Sequence, residues 1–177
     1  MDKIFIGLAA AALLVGALFF PRLARGATVK TFSDENVAVE PIIQGRSPVG
    51  LRNNNPFNLE HRNIGWIGEI GTDGRFSIFD TAENGIRAGM INIHTKMERD
   101  GLRTIRKLIQ RLSPAFENPT EKFIQFVSRE LSVAPDQPIN FRQHILPLSK
   151  AIIQFENGQQ PFTDAELQAA LQRTGRV

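Results

Sequence analysis

An unbroken apolar run from Ile4 to Phe20, IFIGLAAAALLVGALFF, constrains this 177-residue chain more than any other feature. It carries no charge and is close to the ~20 residues that cross a bilayer as a helix. Lys3 precedes it; Pro21, Arg22 and Arg25 follow. A cleaved secretory signal is the competing reading. The run is long for a signal core, however, and Ala24-Arg25-Gly26 is a poor small-x-small cleavage site, so it reads as an uncleaved single span. With its flanks this transmembrane helix takes residues 1–25, and the rest of the chain must fold beside a membrane. Arg22, Arg25 and Lys30 outweigh Lys3 and the terminal amine offset by Asp2, which places that remainder on the cytoplasmic side.

Residues 26–48 mix Gly, Ser, Pro, charges and isolated apolar residues without a sustained period, which reads as a linker. A flexible segment of that length spans about 25 Å root-mean-square. Residues 49–177 have the pattern of one folded domain. Arg52 to Asn58, RNNNPFN, is loop chemistry, because asparagines bond their own backbone and Pro56 bars regular helix. Strand-like stretches Ile64–Ile70 and Arg75–Phe79 flank Gly71-Thr72-Asp73-Gly74, and Asp-Gly favours a hairpin turn.

Five helices follow. One is capped by Asp80 or Thr81, runs to about Arg99 and ends at Gly101. A second covers about Leu102–Leu112 and stops at Ser113-Pro114. A third has Asn118 as cap and Pro119 at its first position, and presents Phe123, Phe126, Val127 and Leu131 on one face. A fourth covers about Asn140–Phe155, with a break or kink near Pro147. The fifth opens with the capping box Thr163-Asp164-Ala165-Glu166. One hairpin among five helices is an α+β domain of mainly α character.

Composition excludes several chemistries. There is no cysteine, hence no disulfide, thiolate metal site or cysteine nucleophile. His61, His94 and His144 are scattered, with no pair at ligand spacing, so no metal and no cofactor is expected. Net charge is only +3, too mild for a nucleic-acid binder. Arg103, Arg106, Lys107 and Arg111 are the densest basic group; they fit a solvated helix face or a docking surface for an anionic polymer or lipid headgroups. Phe76, Phe79, Phe123 and Phe126 are assigned to the core.

Carboxylates remain. Glu156 follows the apolar stretch Ala151-Ile152-Ile153-Gln154-Phe155 and precedes the helix-stopping pair Asn157-Gly158. At the end of a buried helix a glutamate is partly desolvated, which raises its pKa toward what a general acid needs near neutral pH. The alternative is an ordinary surface glutamate, though a negative charge opposes the helix dipole at that end. On the residues alone both readings stand.

The segment Glu156-Asn157-Gly158-Gln159-Gln160-Pro161 resembles the Glu-Ser-Gly-x-x-Pro signature of lytic transglycosylases. Arg52-Asn53-Asn54-Asn55-Pro56-Phe57-Asn58, Trp66 with Gly68, Phe76-Ser77-Ile78-Phe79, Gly85-Ile86-Arg87-Ala88 and Glu117-Asn118-Pro119-Thr120 are similar, in order, to motifs of phage virion proteins with peptidoglycan-lytic domains. The likeness covers about Leu51–Phe162. It departs at Phe57, where those proteins have glycine, and at Leu59-Glu60, which replaces an apolar-basic pair.

The resemblance implies a lysozyme-like fold, circularly permuted because the hairpin precedes the acid helix. It implies cleavage of the peptidoglycan glycan between N-acetylmuramic acid and N-acetylglucosamine, with Glu156 as acid and Glu117 as the rival for that role. A lytic transglycosylase needs one carboxylate; a hydrolase needs a second, for which Glu69 and then Glu60 are the candidates ahead of Asp73 and Asp80. Arg52, Asn53, Asn54, Asn58, Trp66 and Asn157 are the expected substrate contacts, although the asparagines can equally hold their own loop and Trp66 can equally pack in the core. Joined to the span, the resemblance implies a tailless, membrane-containing phage whose virion membrane holds residues 4–20, with capsid or other virion membrane proteins as neighbours and the host membrane as its site during assembly. The alternatives are a virion structural protein with an inactive fold, a peptidoglycan endopeptidase, and a bacterial envelope enzyme.

Overall fold

The computed structural model describes residues 47–113 and 119–176. The apolar run and nearly all of the linker lie outside them. No helix among the described residues is long and apolar enough to cross a membrane.

Six helices and a two-stranded antiparallel sheet make up the described part: α1 Val49–Arg52, β1 Glu69–Thr72, β2 Ser77–Phe79, α2 Ala82–Glu98, α3 Ile105–Leu112, α4 Thr120–Leu131, α5 Phe141–Asn157 and α6 Asp164–Gln172. The helix missed from sequence is α1, a single turn whose Leu51 and Arg52 amides both bond the Pro48 carbonyl. Four residues are too few to show a helical period.

Capping set the helix starts as expected. Thr81 accepts from the Asn84 amide and the Thr163–Glu166 box is complete; Asn140, not singled out as a cap from sequence, also caps, accepting from the Gln143 amide. Two starts shift. α3 begins three residues late, because Thr104 is its cap, extended and bridged to Pro138, with the Arg103 carbonyl accepting from the Ile139 amide. α4 begins at Thr120 with Pro119 in the N-cap position, while Asn118 lies outside the described residues. α5 is also not broken at Pro147: it continues to Asn157. Proline removes one hydrogen bond there, but Ile145, Leu148 and Ile152 remain in the core on either side, so packing outweighs the loss.

The helices share one core. Ile86, Met90, Ile93 and Met97 bury one stripe of α2 at helical spacing. α4 packs along α5, where the rings of Phe123 and Phe155 stack 4.0 Å apart. α6 lies on α2, tied by Arg87 Nε to the Arg173 carbonyl at 2.9 Å.

The hairpin is shorter than read. Residues 64–68 are not part of the strand, because Asn63, Gly65 and Gly68 all take positive φ; only the Gly68 carbonyl still reaches across, accepting from the Asp80 amide. Gly71 and Thr72 belong to the strand rather than to the turn, opposite Ile78 and Ser77. A second, smaller core of Leu59, Phe79 and Ala88 sits beneath, with Phe57 and Trp66 packed against it. Phe76, expected in the core, is instead half-buried, with the Arg75 guanidinium over its ring.

Two glycines of α2 let the asparagine loop lie directly on the helix. A Cβ on Gly85 would stand 1.8 Å from the Asn54 carbonyl oxygen, and one on Gly89 would stand 2.2 Å from the Phe57 ring. The departure at Phe57 is thereby explained. Its bulk fills the groove over Gly89, and the positive φ values of the loop fall on Asn54 and Asn58 instead.

Candidate active site

The asparagine loop is a knot that ties the hairpin to the helices. Asn53 donates to Asp73 Oδ2 at 2.7 Å and its carbonyl accepts from the Phe79 amide. Asn54 donates to the Phe79 and Asp80 carbonyls. Asn55, fully buried, donates to the Leu59 and Ser77 carbonyls and accepts from the Leu59 amide. Asn58 has a different partner. Held at φ 48°, it sends Nδ2 to Glu156 Oε2 at 2.8 Å, joining residues 98 apart in sequence.

Glu156 sits in the last turn of α5, half-buried, ahead of Gly158 in the left-handed conformation. Burial pushes its carboxyl above the ordinary carboxylate value; the Asn58 amide and the charge of Arg75 pull the other way, less strongly. Arg75 comes from the hairpin turn and also reaches Glu60 at 3.6 Å. Asn loop, hairpin turn and helix end thus meet at one carboxylate. A carboxyl whose pKa is raised by burial and that solvent can still reach holds its proton more readily than an ordinary glutamate and can exchange it.

Glu69 is the opposite case. It accepts from Ser77 Oγ, lies 3.0 Å from His61 Nδ1 and accepts from the Trp66 amide at 3.2 Å. Burial alone would raise its pKa, but these contacts together hold it below the ordinary value. Glu60 is also held low, chiefly by its bond from Arg62 at 2.6 Å. Both are permanent anions at neutral pH.

The remaining expected contacts fall as follows. Arg52 is exposed and bonds the Ser47 carbonyl. Trp66 is half-buried over the smaller core. Asn157 is buried, its Nδ2 donating to the Pro56 carbonyl at 2.8 Å and the Ile153 carbonyl at 3.0 Å. Glu117 lies outside the described residues. His61 meets Glu69, His144 meets the Asn140 carbonyl, and His94 stands edge-on to Phe141. Among the described residues no cluster could hold a metal ion. In the basic group, Arg103 pairs with Glu98, and Arg106 with Glu121 and Asp136.

Arg75 and Gly50 were not singled out from sequence. Arg75 follows the Asp73-Gly74 turn, so its reach toward Glu156 depends on how the hairpin folds back. Gly50 faces both Asn58 and Asn157, and nothing in the local pattern marks it.

No family model matches the chain. It is 36% identical over 136 residues to Protein P5 of Pseudoalteromonas phage PM2, across 74% of this chain and 84% of that protein. The chain belongs to the family of that phage protein. A site in this Protein P5 relative therefore has to be argued from its own residues, and the carboxylate beneath Asn58 is where they converge.

Proposed function

We propose that this Protein P5 relative is a peptidoglycan-lytic enzyme of a phage virion, anchored in the virion membrane by residues 4–20, with Glu156 as its general acid. The observation that carries the proposal is the setting of Glu156: a helix-end carboxyl, raised in pKa by burial, oriented by Asn58 and reachable from solvent. The asparagine loop and the Glu156-Asn157-Gly158 segment, two of the motifs that resemble phage lytic domains, are far apart in sequence and meet through the Asn58–Glu156 hydrogen bond.

In this reading Glu156 protonates the glycosidic oxygen between N-acetylmuramic acid and N-acetylglucosamine as the bond breaks. The 6-hydroxyl of the muramyl sugar then attacks the anomeric carbon and returns its proton to Glu156, leaving a 1,6-anhydro product. A single acid suffices. Glu69, held by Ser77, His61 and the Trp66 amide, serves better as a fixed part of the hairpin than as a mobile nucleophile. Arg75 lies between the hairpin and the acid and would favour the carboxylate formed after proton transfer. The fold proposed is lysozyme-like and circularly permuted, since hairpin and acid helix come together in reversed chain order.

A virion membrane taken from the host with its cytoplasmic face toward the capsid would hold the catalytic domain between the two, as the charges around residues 4–20 suggest. The test is clearing of purified peptidoglycan by the full chain, wild type beside Glu156→Gln. Clearing by the wild type alone supports the proposal. Equal clearing by both moves the acid elsewhere, and clearing by neither supports a structural role in the virion.

A further inference from the structure

Two buried carbonyl oxygens beside Glu156 have no hydrogen-bond partner among the described residues: Asn58 Oδ1 and Asn157 Oδ1. Each lies 2.5 Å from where a Cβ on Gly50 would stand, so the two acceptors converge on one spot. Buried acceptors are rarely left unmet, and two facing one another are unfavourable twice over.

The two amides differ in freedom. Asn157 is fixed, because both of its Nδ2 bonds go to backbone carbonyls, and turning it over would set Oδ1 against those oxygens. Asn58 is not fixed in this way. Its partner is a carboxyl, which accepts when ionised and donates when protonated.

We infer that the Asn58 amide turns over with the proton of Glu156 and acts as a positioning residue for it. With Glu156 ionised, Nδ2 donates to Oε2 and the two oxygens at Gly50 stay unmet. With Glu156 protonated, Asn58 rotates by half a turn about its terminal torsion. Oδ1 then accepts the carboxyl proton, and the NH2 group faces Asn157 Oδ1 and fills it. One rotation meets every group, without backbone motion. The protonated arrangement is the complete one, so the loop favours the acid form. The charged group acting on Glu156 from the packed elements is Arg75, on the hairpin, which favours the ionised form; Asn58, Asn157 and Gly50 are uncharged. The proton stays on Glu156 throughout and leaves only to substrate or solvent.

The link to catalysis rests on the proposed function, but the rotation does not. In the full chain in detergent micelles, the carboxyl 13C shift of Glu156 follows its titration while nuclear Overhauser contacts locate the Asn58 amide protons. Contacts from those protons to the Gly50 Hα protons are expected below the titration midpoint and should vanish above it. Glu156→Gln can donate through Nε2 at every pH, so the turned arrangement that meets both asparagine oxygens is open to it throughout, and the contacts should not depend on pH. Contacts that ignore the titration in the wild type would overturn the inference, as would their absence from Glu156→Gln. Neither outcome bears on whether the chain clears peptidoglycan, so this failure and that of the proposed function are distinguishable.

Discussion

Glu156 and Glu69 are both shielded carboxylates near the same loop, yet their surroundings push them in opposite directions. Glu69, on β1, collects a hydroxyl, an imidazole and a backbone amide from within its own hairpin region. These contacts outweigh burial and hold it ionised. Glu156 ends a helix whose dipole disfavours its charge, and among the described residues it has one side-chain donor, Asn58. Burial wins there and the proton is retained more readily. Shielding alone therefore does not make an acid; the number of donors around the carboxyl decides.

The comparison is sharpened most by activity. Glu156→Gln should lower peptidoglycan clearing by about 10²–10⁴-fold, the range a general acid supplies. Glu69→Gln should leave measurable clearing in the same turbidity assay; an equal loss would make Glu69 the second carboxylate of a hydrolase. Next in size is the platform both carboxylates depend on. Gly85→Ala would force a methyl into the Asn54 carbonyl, a backbone atom that cannot step aside, and should destabilise the chain by about 3 kcal/mol in chemical denaturation.

Smaller effects separate the two carboxylates themselves. Glu69→Gln loses charge-assisted bonds to Ser77, His61 and the Trp66 amide, and should cost about 1–3 kcal/mol at neutral pH. The smallest effect is the most diagnostic, because its sign reverses between the sites. The folded-state pKa of Glu69 is depressed, so its stabilisation is present above the ordinary value of 4.5 and lost as pH falls through the folded value. That of Glu156 is raised, so its favourable contribution is complete below 4.5 and lost as pH rises through the folded value. Melting temperatures across pH should show Glu156→Gln gaining on the wild type as pH rises, while Glu69→Gln falls behind. Both differences should fade in acid.

The helices were largely legible because their starts are written in local chemistry. Thr81, Asn140 and Thr163 each cap through their own side chain, and α2 and α4 carry their apolar faces at helical spacing. Of the break or kink expected at Pro147, the break does not occur, because tertiary packing prevails over the lost hydrogen bond. The strands were overextended because Ile64-Gly65-Trp66-Ile67-Gly68 looks apolar enough for a strand, while three positive-φ residues at 63, 65 and 68 bar pairing. Isoleucines 64, 67 and 70 are in fact exposed, at 57%, 58% and 68%. In the site, Glu156 was visible from its place between an apolar helix and Asn-Gly. The division of labour among the asparagines was not: Asn53, Asn54 and Asn55 hold the hairpin while Asn58 alone turns to the acid. That division depends on contacts between residues 20 to 98 positions apart, which no local pattern encodes.

The central claim is that Glu156 alone cuts a glycan bond by acid catalysis. Mass spectrometry of the fragments released from purified peptidoglycan by the full chain tests it most directly. The account predicts 1,6-anhydro muropeptides from the wild type and none from Glu156→Gln. Fragments with free reducing ends would call for a second carboxylate, and cleaved stem peptides on intact glycan would contradict the account outright.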